Sequence, residues 1–176
     1  TGEIVDNCQK RPQREFEERE LTIKECAEAL HEAISLLQQA NPKVNVILTV
    51  SPIRYAKYGY HGSQLSKAVL LLATDKVVKE NGDKVYYFPA YEIVNDELRD
   101  YRFYKADMLH PNEQAVDYIW EQLVATCFSA ETKEFLREWQ PIKEALAHRP
   151  FNPEAAAYQD FIKKTKEKAK MLKLKY

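Results

Sequence analysis

The 176-residue chain is poor in glycine, with 4, and in cysteine, with 3, and it has no excess charge of either sign: 26 Lys and Arg stand against 27 Asp and Glu, a formal net charge of -1. A chain this close to neutral lacks the one-signed field that draws proteins onto polyanions, which excludes nucleic-acid binding by bulk charge. Cys8, Cys26 and Cys127 are odd in number, far apart and outside any C-x-x-C spacing. Neither a disulfide framework nor a zinc knuckle is expected from them, and a reducing cytoplasm fits best. The longest apolar run, Ala68 to Ala73, falls far short of the roughly 20 residues that cross a bilayer. No basic-then-apolar leader follows Thr1, so no signal peptide is expected. At 45% hydrophobic and 30% charged, the composition is that of a helix-rich globular domain large enough for one core.

Thr22 and Glu25 form a T-x-x-E capping box, and Ile23, Cys26, Ala27, Leu30, Ile34 and Leu37 recur at helical spacing. Together they predict a helix from Thr22 to Ala40. After Asn41-Pro42, Val44 to Val50 reads as a strand covered on both faces. Ile53 to Gly62, with three tyrosines and two glycines, reads as a loop, and Ser63 as the cap of a second helix that ends at Asn81-Gly82. Val85 to Phe88 is a second buried strand closed by Pro89, and Tyr91 to Met108 a long loop with at most one helical turn. Asn112 caps a third helix whose buried face is Val116, Ile119, Trp120, Leu123 and Cys127. The remainder reads as helix, with a break or kink near Pro141 and a fresh start at Asn152-Pro153.

The last sixteen residues hold seven lysines against one Glu, the pattern of a solvated terminal helix or, alternatively, of a face for a membrane surface or an acidic partner. Two strands are too few for a parallel sheet covered on both faces, which normally has about four to six. Either weak segments such as Ile4-Val5 contribute, or the chain is the second half of a larger domain, the explanation favoured here. The expectation is therefore an α/β unit over residues 1–130 and a helical extension over 131–176.

Ligands of open α/β sheets bind beyond the carboxyl ends of the strands, which directs attention to the loops after Val50 and Phe88. The sharpest constellation there is Asp107-Met108-Leu109-His110-Pro111. A D-x-x-H turn can bring the carboxylate onto one imidazole nitrogen, fixing the tautomer and leaving the other nitrogen as a general base. The plainer alternative is a surface carboxylate beside a helix-terminus histidine. His61, beside Ser63, is open to a ligand, whereas His31 and His148 read as solvated or packed. Cys8 is either an ordinary buried cysteine or a thiol nucleophile for His110. No second His or carboxylate stands at ligand spacing on one helix face, so no metal and no other cofactor is expected. None of the five serines has the small-residue surround of a nucleophile elbow, and the nucleophile is expected upstream of Thr1. A competing expectation is a non-catalytic carbohydrate- or partner-binding module whose stacking surfaces are Tyr55, Tyr58, Tyr60, Tyr91, Tyr101 and Tyr104.

Five ordered motifs lie within about sixty residues: Thr49-Val50-Ser51-Pro52-Ile53-Arg54, Gln64-Leu65-Ser66-Lys67-Ala68, Tyr87-Phe88-Pro89-Ala90-Tyr91-Glu92-Ile93, Asp96-Glu97-Leu98-Arg99-Asp100-Tyr101-Arg102-Phe103-Tyr104, and Asp107-Met108-Leu109-His110-Pro111. In this the chain resembles the GSCFA family of bacterial proteins, over roughly residues 2–130; the lysine-rich tail adds nothing to the resemblance. Asn7-Cys8-Gln9-Lys10, followed by Pro12 and Phe16, also resembles the family, with Gln9 where its usual pattern has His. That family is similar to the SGNH hydrolases. The resemblance implies a three-layer, flavodoxin-like α/β/α sandwich around a parallel sheet, incomplete here at its N-terminus, and hydrolysis of a small-molecule or carbohydrate ester by a Ser-His-Asp triad. It implies that Asp107 and His110 are the orienting acid and the base. The serine would belong to the Gly-Ser-Cys-Phe-Ala stretch, which this sequence does not contain. Asn7 falls in the order of an oxyanion donor, and Ser51, Arg54 and His61 are added as substrate or oxyanion contacts.

Overall fold

The Thr22 hydroxyl accepts from the Glu25 N–H at 3.2 Å, and the Glu25 carboxylate accepts the Thr22 N–H at 2.9 Å. This reciprocal box satisfies two donors that a helix start would otherwise leave unpaired. It opens helix α1, Ile23–Ala40, close to where the sequence places it. The Thr22 N–H, first, and Arg19, second, hold the Glu25 carboxyl down at about 2. The structure is a computed structural model that describes residues 2–5 and 10–176.

Strand β1, Val46–Leu48, pairs in parallel with β2, Val85–Tyr87, in the register Val46 to Val85, Ile47 to Tyr86 and Leu48 to Tyr87. Helix α2, Gly59–Asn81, is the crossover between them. Ala27 and Ile34 of α1, Ala73 and Val77 of α2 and Val85 of β2 form one buried cluster, with Cys26, Leu30, Val46, Leu48 and Val78 packed around it. Ile47 and its register partner Tyr86 are 45% and 48% exposed. Both strands are thus shorter than expected, and among the described residues one face of the pair is covered rather than both. Side chains alternate across a strand, so packing α1 and α2 against Val46, Leu48 and Val85 turns Ile47 and Tyr86 the other way.

The second helix begins earlier than its sequence signals suggest. Gly59 and Gly62 read as loop residues, yet both lie in α2. Gly59, at φ 71°, makes the entry turn in a conformation that side chains disfavour. A Cβ on Gly62 would stand 2.9 Å from the Tyr58 Cβ, so glycine is there for close approach. Ser63 is consequently not a cap. It is buried within the helix, and its hydroxyl accepts the Tyr55 N–H at 3.1 Å.

After β2 the chain turns into α3, Ala90–Glu92, which widens into a π-helical stretch, Ile93–Leu98, and a 3-10 turn, Tyr101–Phe103, follows. The expected long loop is therefore largely helical, since Ile93 and Val94 are buried and need a hydrogen-bonded backbone. Helix α4, Glu113–Cys127, is capped as expected, the Asn112 side chain accepting the Ala115 N–H at 3.1 Å. Its expected buried stripe is not buried as a whole: Val116 and Trp120 are about half exposed and Cys127 is exposed. Helical spacing marks a face that can be covered and does not supply the cover.

The chain divides into two compact units, one ending at Ala115 and the other comprising Val116–Tyr176. In the second, Ser129 caps helix α5, Ala130–Ala147, which continues through Pro141 without ending there. Helix α6, Ala156–Lys175, packs on α5, burying Ile142 and Leu172, and Phe135 stacks on Trp139 and meets the Tyr176 ring edge-on. The expected start at Asn152-Pro153 is a turn, in which the Asn152 side chain accepts the Glu154 N–H, and the helix begins three residues later. No helix among the described residues is long and apolar enough to cross a membrane.

Candidate acid–base site

At the carboxyl ends of β1 and β2 the two following loops are stitched together by one backbone bond, Arg54 N–H to Leu109 O at 3.1 Å. The second loop is closed at its base by an antiparallel bridge between Tyr104 and Pro111, with the Lys105 N–H on the His110 carbonyl at 2.8 Å. Met108, at φ 60°, makes the tip of the turn, and its N–H reaches the Lys105 carbonyl at 2.9 Å. Asn112 braces the same base twice, its N–H on Phe103 O and its side-chain amide on Arg102 O.

Inside this turn one oxygen of Asp107 accepts the N–H groups of Leu109 and His110 at 2.9 and 3.0 Å, and the other lies 2.6 Å from His110 Nδ1. The His110 N–H, then the Leu109 N–H, then the imidazole hold the Asp107 carboxyl down at about 2. An ionised carboxylate can only accept, so Nδ1 carries the proton, and in the neutral imidazole Nε2 is the nitrogen with the lone pair. The His110 side chain is 51% exposed, and no described residue engages Nε2. The arrangement is an oriented imidazole with one basic nitrogen open to an incoming hydroxyl.

Arg54 lies beside this turn, its guanidinium 4.4 Å from the centroid of the Tyr104 ring and 5.2 Å from that of Tyr101, with Tyr60 farther off at 6.0 Å. Tyr104 is buried and Tyr101 exposed. Ser51 is exposed and its hydroxyl accepts the Ile53 N–H at 3.3 Å. His61 sits exposed in the first turn of α2, without a hydrogen bond, ion pair or ring contact to a described residue. Asn7 and Cys8 lie outside the described residues. His31 is a packing histidine: Nε2 meets Glu80 at 2.8 Å and Nδ1 accepts from the Asn81 amide at 3.1 Å, tying α1 to the end of α2. Sequence reasoning missed the union of Arg54 with Tyr101 and Tyr104; the one visible hint was the alternation of aromatic and basic side chains in Tyr101-Arg102-Phe103-Tyr104. Among the described residues no three His, Cys, Asp or Glu side chains converge as metal ligands would.

A family model described as the GSCFA family matches residues 1–123. The chain belongs to the GSCFA family. A second model, described as the C-terminal domain of GSCFA domain proteins, matches residues 139–176, so the lysine-rich helix, which carries none of the quoted motifs, is also recognised as GSCFA sequence. No curated protein and no solved structure matches the chain. In this GSCFA protein a cavity of about 930 Å³ between α5 and α6 is lined, among the described residues, by neither histidine nor serine, whereas the Asp107–His110 pair lies at the turn after β2.

Proposed function

We propose that this GSCFA protein is an SGNH-like hydrolase of small-molecule or carbohydrate esters. His110 Nε2 takes the proton of an attacking serine hydroxyl and later returns it to the leaving alcohol, while Asp107 holds the tautomer and stabilises the imidazolium. The observation that carries this reading is the 2.6 Å contact of Asp107 with His110 Nδ1, which leaves Nε2 unengaged. The Ser51 and Ser63 hydroxyls accept the backbone N–H groups of Ile53 and Tyr55, and the serine assigned to the reaction is that of the family's Gly-Ser-Cys-Phe-Ala stretch. On this reading β1 and β2 belong to the parallel sheet of a three-layer α/β/α sandwich, in which a second helical layer would cover the face of Ile47 and Tyr86. Asn7 as an oxyanion donor rests on its order in the chain alone. Cys26 and Cys127 are free thiols, which suits a reducing compartment such as the cytoplasm.

The test is hydrolysis of p-nitrophenyl acetate by a protein that carries the Gly-Ser-Cys-Phe-Ala segment. Asp107→Asn is expected to lower kcat by about 10⁴-fold and His110→Ala by about 10⁶-fold. The 176 residues alone are expected to be inactive, and hydrolysis by them that disappears with His110→Ala would overturn the assignment of the nucleophile. One observation favours a second reading, a carbohydrate-binding module: Tyr55, Tyr60 and Tyr101 are 50%, 65% and 63% exposed. Oligosaccharide binding lost in Tyr101→Ala and indifferent to Asp107→Asn would favour it.

A further inference from the structure

A cavity of about 110 Å³ is lined by Arg54, Asn95, Arg99, Asp100, Tyr101 and Tyr104, next to the loop that Arg54 N–H fastens to Leu109. It has room for a small oxyanion. Among the described residues neither Arg54 nor Arg99 is ion-paired with a carboxylate. Asp100, the carboxylate at the rim, is already engaged by Arg102, through its N–H at 2.9 Å and its guanidinium at 3.4 Å. The Asn95 amide is spent on the Tyr91 carbonyl. Two arginines without carboxylate partners among the described residues therefore line one small space.

The tyrosine rings fix Arg54 in advance. Tyr101 and Tyr104 stand over its guanidinium, which positions the planar fork ahead of any ligand and lowers the entropic cost of binding one. Arg99 is held at φ 47°, a left-handed conformation uncommon outside glycine, by its N–H bond to the Val94 carbonyl at 3.0 Å, and this places it at the same space.

We propose that this pocket binds an oxyanion, a carboxylate or phosphate group, carried by the ester substrate, with Arg54 and Arg99 as the binding residues. The assignment to a substrate rests on the hydrolase reading; binding of the anion does not. The experiment titrates the 176-residue chain at low ionic strength with inorganic phosphate and, separately, with succinate, following the guanidinium Nε–Hε signals of Arg54 and Arg99 by NMR. Saturable shifts of both signals are expected. Arg99→Gln and Arg54→Lys, the latter keeping the charge and losing the fork, are each expected to weaken binding about tenfold or more. His110→Gln is expected to leave binding unchanged. Tighter binding of phosphate points to a phosphorylated ester, and tighter binding of succinate to a carboxylated one. Shifts that never saturate, or equal affinity in Arg99→Gln and the parent, would overturn the pocket. Anion binding without ester hydrolysis in the protein that carries the serine segment would remove the hydrolase reading and leave the pocket standing; hydrolysis abolished by His110→Ala with no anion binding would do the reverse.

Discussion

Asp107 accepts three hydrogen bonds, two of them from backbone N–H groups that no side-chain substitution removes. Its carboxyl is expected to titrate at about 2 instead of 3.8, which carboxyl-carbon NMR reads directly. In His110→Ala the imidazole is gone and both amides remain, so the midpoint should rise yet stay below 3.8; a return to 3.8 would show that the imidazole alone holds the charge. Because the folded value is depressed, Asp107 stabilises the turn fully above 3.8, and that contribution is lost as pH falls through about 2. The pair was legible in the sequence because a three-residue turn is local: the carboxylate reaches its own backbone and the imidazole without help from elsewhere. Ser63 was not legible. Whether a hydroxyl near a helix start caps it or is buried one turn inside depends on where the preceding Tyr55 backbone runs.

Helix α1 is set by residues within four positions of its start, and Thr22→Ala should cost about 1 kcal/mol in chemical denaturation by deleting one half of the box. Gly62→Ala is a test of close approach: the new Cβ meets the Tyr58 Cβ, and a destabilisation of about 1–3 kcal/mol is expected. A stability unchanged by that substitution would mean that Gly62 is in α2 for no packing reason. The start of α2 escaped sequence reasoning because Gly59 and Gly62 carry the same composition as a loop, and only the neighbour at 2.9 Å distinguishes the two uses. The helical course of Ile93–Leu98 was hidden for a related reason, since its charged exterior, Asp96 and Glu97, outweighs its buried pair, Ile93 and Val94.

At the level of the molecule, Val77 is the point where α2 enters the cluster shared with α1 and β2, and it is fully buried. Val77→Ala should cost roughly 2 kcal/mol through lost burial and the cavity left behind, measured by equilibrium unfolding, and a value near zero would mean that the cluster relaxes to fill the space. Family membership, the capped helices α1 and α4, the two strands and the Asp107–His110 turn could all be read from the residues, because each depends on interactions over a few positions or on motifs in linear order. Distant pairing decided the rest. The side of the strand pair that α1 and α2 cover and the placing of Arg54 among Tyr60, Tyr101 and Tyr104 join segments far apart in the chain, and the exposure of Val116 and Trp120 depends on what packs beside α4. Periodicity records which side chains are able to be buried, while burial itself needs a second surface that only the folded chain brings to them.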